Sequence, residues 1–478
     1  MGHGALVARG AASTIAGVYL AYSALLLLAL VLSGPWWLLG ILRHGKYRAG
    51  LGERLGFVPG RILDPAKPET IWIHAVSVGE VLAIAGVAAE LGERLPRWRV
   101  VVSTTTSTGQ RLARERFGAA NVFYLPLDLT YAVRAYLRAL RPRLLVLAES
   151  EFWPNLLHQA RQSGASIAVV NARVSDRSLP RYRRVRQLLS AVMQNVDVFL
   201  AQSQEDARRL VQIGAAVDRV QVGGNLKFDA KPAAKPPALE AFVAAVRCQG
   251  IAPIMVCGST LEGEEKLLIE CFRGVVSLYP RALMVLAPRH PERFEAVAGL
   301  LGGSGLPWLR RSRWDGGLLS GGEVFLLDSI GELAGLYELA DVAFVGGSLV
   351  PWGGHNVLEA AQFGVAILVG PHTENFRDII GVFRHTAALK VVTPGSLGET
   401  VLQLLGDEAG RKRLGQRALE VVRIQQGATE RTLEVLLRLL RAESSSAASG
   451  RCDESREEAS AHTDLLSSRA KGMVDRQG

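Results

Sequence analysis

The sequence predicts an α/β protein made of two doubly wound, Rossmann-like parallel-sheet domains, and three observations carry that expectation. From Thr70 onward, short apolar stretches alternate with longer amphipathic ones, the pattern of successive βαβ units. The alternation breaks once, at Asp229 to Pro237 (DAKPAAKPP), and then resumes. Hydrophobic residues make up 49% of the chain, aromatic residues only 6%, and there are 50 glycines, which suits many short strands joined by tight turns. At 478 residues the chain also exceeds one ordinary core.

Taken in order, the chain opens with a stretch between Arg9 and Arg43 that holds no charged residue. Its centre, Thr14 to Leu32, has the length that crosses a hydrocarbon core as a helix. Trp36 and Trp37 follow at the place of an interfacial belt, and Arg43, Lys46, Arg48 and Arg54 come next, against Arg9 alone before it. An uncleaved transmembrane anchor over residues 10–42 is therefore expected, with the bulk of the chain on the cytoplasmic side. Basic residues placed after the apolar run argue against a cleaved leader.

A first domain is expected over 43–228, with strands at Thr70 to Ala75, Arg99 to Ser103, Val122 to Leu125, Leu144 to Ala148, Ser166 to Val170, Val198 to Ala201 and Arg219 to Val222. The proline-rich break makes 229–238 a linker. A second domain over 239–441 is expected from strands at Ile254 to Cys257, Leu283 to Leu286, Glu323 to Leu327, Val342 to Val345 and Ala366 to Val369, closed by leucine-rich helices from about Gly398. Residues 442–478 are rich in serine and charge and poor in core formers, so a disordered tail is expected.

The net charge of +10 addresses nucleic acid, anionic lipid or a phosphorylated substrate. No nucleic-acid module is visible, which favours the lipid and phosphate readings. Cys248, Cys257, Cys271 and Cys452 are scattered without CxxC or metal spacing, as reduced cytosolic thiols are. No GxxxxGK[ST] loop and no GxGxxG turn opens either sheet, so a P-loop kinase and a dehydrogenase are poorly supported.

Ligands of doubly wound sheets bind outside the carboxyl ends of the strands, and there the polar residues concentrate. IWIHAVSVGE places Glu80 at a strand-to-helix turn, either as a first-turn acid or as a general base. AESEFWPN places Glu149 and Glu151 at another strand end, with Lys227 of GNLKFD as a partner for them or a contact to a substrate anion. In the second domain APRHPERF sets Arg289 and His290 after a strand, DSIGEL offers a turn for a base edge, and STLEGEE forms a third such corner. ADVAFVGGSLVPWGGHNVLEAAQFG reads as a strand, the glycine turn Gly346–Gly347, and a helix opening near Gly354 or His355 and running through Glu359. Glycine amides and a helix start suit a phosphate there, and Glu359 a ribose. DRSLPRYRRVR carries five arginines, either as a solvated helix face or for lipid phosphate groups.

The motifs HAVSVGE, STTTSTGQ, AESEFWPNL, NARVSDRS, GNLKFD, APRHPERF, VAFVGGSLVPWGGHNVLEAA and VGPHTENFRD together resemble the bacterial 3-deoxy-D-manno-octulosonic acid (Kdo) transferases, over roughly residues 10 to 435. That resemblance implies a GT-B glycosyltransferase fold at the inner membrane, CMP-Kdo as donor and a lipid A precursor (lipid IV-A) as acceptor; no His/Asp/Glu cluster has metal spacing, so neither a metal nor another cofactor is expected, and no nucleic-acid partner. It implies Glu80 as the base that deprotonates the acceptor hydroxyl, and Glu149 and Lys227 as residues that assist charge development, with Glu151 also fitting the place of Glu149. It implies a CMP site in three parts: Pro288 and Arg289; Ser329, Ile330 and Gly331; and Asn356, Val357, Leu358 and Glu359. Pro351 and Trp352 stand where this family often carries a charged residue. Another GT-B transferase using a UDP-sugar on a membrane lipid, and a non-catalytic lipid-binding scaffold, are the alternatives; release of UMP or UDP marks the first, absence of turnover the second.

Overall fold

A computed structural model describes residues 17, 19, 21–36, 50–64, 66–67, 69–229 and 237–442. The chain forms two compact units, one of residues 1–230 with 427–478, the other of residues 231–426.

The first unit holds a seven-stranded sheet: β1 Glu69–His74, β2 Trp98–Thr104, β3 Val122–Tyr124, β4 Pro142–Ala148, β5 Ser166–Ala172, β6 Val198–Ala201 and β7 Val220–Val222. The order is β3-β2-β1-β4-β5-β6-β7, and every pairing is parallel. Alternate residues of one strand feed opposite faces. Leu145 and Leu147 pack with Trp72, Val101 and Phe199, whereas Leu144, Val146 and Ala148 pack with Ile71, Ile73 and Val102. Both faces are covered, and that is why these strands read as continuous apolar runs rather than as alternation. Strand order reverses between β1 and β4, which makes the crevice at their carboxyl ends the natural ligand position.

The second unit repeats the architecture with β8 Ile254–Thr260, β9 Leu283–Pro288, β10 Trp308–Arg310, β11 Glu323–Leu326, β12 Val342–Val345, β13 Ala366–Val369 and β14 Lys390–Val391. The order is β10-β11-β9-β8-β12-β13-β14, again parallel throughout, with the reversal between β8 and β12. Its core is built on Met255, Phe272, Met284, Leu286, Leu326, Phe344 and Leu368. The two edge strands β10 and β14 were not expected. They are three and two residues long, too short to leave a pattern.

The structure corrects the expected boundary at Arg441. Helices Leu397–Gly406 and Glu408–Gln425 belong to the second unit, but from Gly427 the chain returns to the first. There the helix 428–442 packs Ala428, Leu433, Leu436 and Leu440 among Ile71, Ile84, Val87 and Leu91. Asp229 fixes its start by accepting the N–H groups of Gly427 at 2.7 Å and Thr429 at 2.5 Å, a cap supplied by a distant loop. Arg94 adds a two-pronged pair with Glu430 at 2.9 Å and 2.5 Å.

Residues 21–36 are helical. The polar side chains at the start of this element meet the first unit: Ser23 and Asn155 exchange hydrogen bonds at 3.0 and 3.3 Å, and Asn195 donates to the Tyr19 hydroxyl at 2.9 Å. Farther along, Leu25, Leu27, Leu28, Val31, Leu32 and Trp36 are exposed. Among the described residues no helix is long and apolar enough to cross a membrane, and the expected anchor's residues 10–16 and 37–42 lie outside them. The tail from 443 and most of the linker, 230–236, are likewise outside the described residues.

Candidate active site

Each unit places its polar strand-end residues around its own order reversal. In the first, β1 ends before a loop whose Ser77 caps helix Val78–Arg94. Ser77 Oγ accepts the Glu80 N–H at 3.4 Å and donates to Glu80 Oε1 at 2.8 Å, while the Val76 N–H donates to Oε2 at 2.7 Å. Glu80 is thus the first-turn acid of a reciprocal cap. A carboxylate has about four lone-pair sites, and two accepted bonds leave others for a hydroxyl. Glu80 is 7% exposed. Burial pushes its carboxyl up to about 7; the bonds from Val76 and Ser77 hold it lower, and the charges of Glu149 and Glu151 push it higher again.

Glu149 follows β4, across the reversal from β1. Its φ is 56°, a left-handed conformation uncommon for a residue with a Cβ, and its N–H donates to Val170 O at 2.9 Å. Lys227 Nζ pairs with Glu149 Oε1 at 3.4 Å, so of the two acids it is Glu149 that meets the lysine. Burial and the charge of Glu149 both raise the Glu151 carboxyl, and burial with the charge of Glu151 raises the Tyr182 hydroxyl.

The residues that hold Lys227 escaped the sequence. Asn171, at φ 53°, accepts the Leu226 N–H on its side-chain oxygen at 3.0 Å, and its carbonyl accepts Gln202 Nε2 at 3.0 Å. Gln202 in turn accepts Asn225 Nδ2 at 3.0 Å, and Asn225 accepts the Lys227 N–H at 3.0 Å. All three amides are buried. Asn171 opens NARVSDRS and Asn225 lies in GNLKFD, so the motifs were visible but the link between them, through Gln202, was not.

In the second unit the three expected parts lie at the ends of β9, β11 and β12, strands that are neighbours or separated only by β8. Pro288 is buried at the end of β9, and Arg289 is exposed beyond it with its N–H on Thr260 O at 2.9 Å. Among the described residues no carboxylate forms an ion pair with the Arg289 guanidinium. Ser329 donates to Glu332, which also accepts Arg311 Nη2 at 2.9 Å, so the turn that carries Ile330, 79% exposed, and Gly331, at φ 90°, is fastened from behind. Asn356 Oδ1 accepts the Leu358 N–H at 3.2 Å and its Nδ2 donates to Glu359 Oε1 at 3.3 Å. Burial raises the Glu359 carboxyl, partly offset by Asn356 and by the charge of Arg289. Burial also lowers His355 to about 4, helped by the positive charges of Arg289 and His290.

Two expectations about this corner are corrected. The helix is Leu358–Ala361, four residues long, because Gly353 and Gly354 adopt φ of 91° and 76° and Val357 is its first helix-like residue. The Gly346–Gly347 turn does not offer its amides to a phosphate. Gly346 N–H donates to Gly258 O at 2.8 Å and Gly347 N–H to Glu264 at 2.7 Å. Gly346 serves close approach instead, since a Cβ there would stand 2.5 Å from Ser259 O. Among the described residues no cluster of three or more His, Cys, Asp or Glu could hold a metal ion.

Two parallel doubly wound sheets, each with polar turns at its strand ends, place the chain in the GT-B-like α/β class. The fold alone is shared with the UDP-GlcNAc 2-epimerase of Neisseria meningitidis bound to UDP-GlcNAc (TM-score 0.51, 13% identity, 77% of this chain and 100% of that one). The sequence is 34% identical over 399 residues to the 3-deoxy-D-manno-octulosonic acid transferase of Haemophilus influenzae, covering 82% of this chain and 91% of that one. It is 37% identical over 406 residues to that of Bordetella pertussis, covering 82% and 92%. The family profile "3-Deoxy-D-manno-octulosonic-acid transferase (kdotransferase)" matches residues 49–230. The chain belongs to the 3-deoxy-D-manno-octulosonic acid transferase family and is a glycosyltransferase.

Proposed function

We propose that this enzyme transfers Kdo from CMP-Kdo to a lipid A precursor, lipid IV-A, in lipopolysaccharide assembly, by direct displacement with inversion. The observation that carries the mechanism is the Glu80 carboxylate, buried, held at both oxygens, and given a proton affinity near neutrality. A base poised near the working pH is the efficient one. The acceptor hydroxyl oxygen forms a bond to the anomeric carbon, its proton passes to Glu80, and the bond from that carbon to the CMP phosphate oxygen breaks with its electron pair on CMP. Positive charge grows on the sugar as negative charge grows on the phosphate. In this scheme Glu149, which pairs with Lys227, stabilises the first. Arg289 meets the second, so the reaction is expected to need no added divalent cation. Pro288, Ser329 to Gly331 and Asn356 to Glu359 complete the nucleotide site in this scheme.

Incubation of the purified protein with CMP-Kdo and tetraacylated lipid A precursor is expected to release CMP and to add Kdo mass to the lipid. Turnover only with a UDP-sugar, releasing UMP or UDP, would overturn the donor assignment. A covalent sugar adduct on the enzyme would overturn direct displacement.

The same proposal anchors the enzyme in the inner membrane as a single pass through residues 10–42, catalytic units on the cytoplasmic side. The exposed apolar residues of the helix 21–36 support it. Removing residues 1–42 is expected to move the activity from the membrane pellet to the soluble fraction; a truncated enzyme that still pellets with membranes contradicts it.

A further inference from the structure

The carboxylates that the proposed reaction uses for proton and charge transfer lie in the first unit, yet the second keeps a carboxylate of its own where its sheet reverses order. Glu264 has no exposed surface. Its Oε2 accepts the N–H groups of Leu261 at 2.9 Å and Gly347 at 2.7 Å, and its Oε1 those of Ser348 and Leu349, both at 2.9 Å. Among the described residues no cation pairs with it, and its four hydrogen-bond donors are all backbone amides. One side chain thus fastens the turn after β8 to the turn after β12, across the crevice in which such sheets hold their ligands.

The fastening reaches the proposed nucleotide residues in one further step. The Gly347 carbonyl accepts the Gly354 N–H at 2.7 Å. Gly347 has φ +68°, and a Cβ on it would stand 2.8 Å from the His355 ring. Asn356 to Glu359 follow at once, so their placement depends on the position of Gly347, and that on Glu264.

We propose that Glu264 is a positioning residue for the sugar-nucleotide donor, a built-in anion that occupies the Gly347–Leu349 amides and holds Gly354–Glu359 in a ligand-ready arrangement. It follows that the donor phosphate does not use those amides and lies toward Arg289. The inference rests on the proposed CMP-sugar activity and deepens it.

Glutamine at 264 keeps one accepting oxygen and turns an NH2 toward the remaining amide donors. Glu264→Gln is expected to raise the donor KM at least about tenfold, the factor that corresponds to about 1.4 kcal/mol, with the acceptor KM unchanged and kcat at saturating donor within about threefold. Glu265→Gln is the control. That neighbour is equally buried and bonds Thr260 and Arg293, so its loss should lower Tm and leave the donor KM alone. Gly347→Ala, which disturbs the same turn while sparing the carboxylate, should raise the donor KM as Glu264→Gln does and carries the test if the latter fails to fold. An unchanged donor KM in the folded variants, or an equal rise in Glu265→Gln, overturns the inference. Absence of CMP-Kdo turnover by the unaltered enzyme would instead sink the proposed function, which keeps the two failures apart.

Discussion

Glu80→Gln is expected to lower kcat by about a thousandfold, within the range of 10² to 10⁴ for loss of a general base, while leaving the donor KM nearly unchanged. Glutamine preserves the shape of the cap, since one oxygen can still accept from Val76 or Ser77. What disappears is the capacity to take a proton. The sign of the pH dependence follows from the same residue. Burial holds the carboxyl up to about 7, so below that pH the folded enzyme keeps it protonated and useless as a base. The kcat/KM is therefore expected to fall about tenfold for each pH unit below 7 and to level off above it. Glu149→Gln removes one of the charges that raise Glu80, and the acid limb should move to lower pH. A flat wild-type profile from roughly pH 5.5 to 8, or Glu80→Gln with undiminished kcat, would remove Glu80 from its assigned role.

The second large effect is expected at Arg289. Arg289→Ala should reduce kcat/KM for the donor by about 10² to 10³, the usual consequence of deleting one group aimed at developing negative charge. Arg289→Lys keeps the charge but loses the planar fork, and an intermediate loss of about tenfold is expected. Two features of the structure favour this residue over others nearby. Its guanidinium is exposed at the end of β9 with no ion-pair partner among the described residues, whereas Arg293 is spent on Glu262 and Glu265, and Arg311 on Glu332. Its charge already acts on Glu359 and His355, which places it among the expected nucleotide residues. Steady-state kinetics with varied CMP-Kdo check both variants; donor kcat/KM within about threefold of wild type in Arg289→Ala would exclude the assignment.

Much of the architecture was legible because both faces of each sheet are buried. Leu144 to Ala148 and Leu283 to Leu286 stand out as uninterrupted apolar runs between helical patterns, and the strands lie there. The edge strands Trp308–Arg310 and Lys390–Val391 lack that signature, since none of their residues is buried. The return of 428–442 to the first unit was illegible for another reason. Its leucine spacing announces a buried helical face but carries no information about which of two similar sheets buries it.

The site divides the same way. Glu80, Glu149, Lys227 and Arg289 sit at strand ends, a location that local sequence predicts. Glu264 and the Asn171–Gln202–Asn225 chain act through partners far away in sequence: Glu264 binds amides 83 to 85 positions on. A glutamate that opens a helix after a polar turn looks like any first-turn acid, and only the folded structure shows which donors it has claimed. The left-handed backbone at Glu149 left no trace either, because a glutamate does not advertise a positive φ; at Asn171 the residue type was the one hint, asparagine being enriched in that region.

The late return of the chain also bears on biogenesis. While residues 69–229 leave the ribosome, the groove beside Ile84, Val87 and Leu91 stays open, because Leu433, Leu436 and Leu440 are synthesised only after the whole second unit. The nascent first unit must wait, with apolar surface uncovered, for a segment roughly two hundred residues downstream, a delay during which a chaperone has something to hold. Translation that stops short of Gly427 would thus release a polypeptide damaged in the half that was made first.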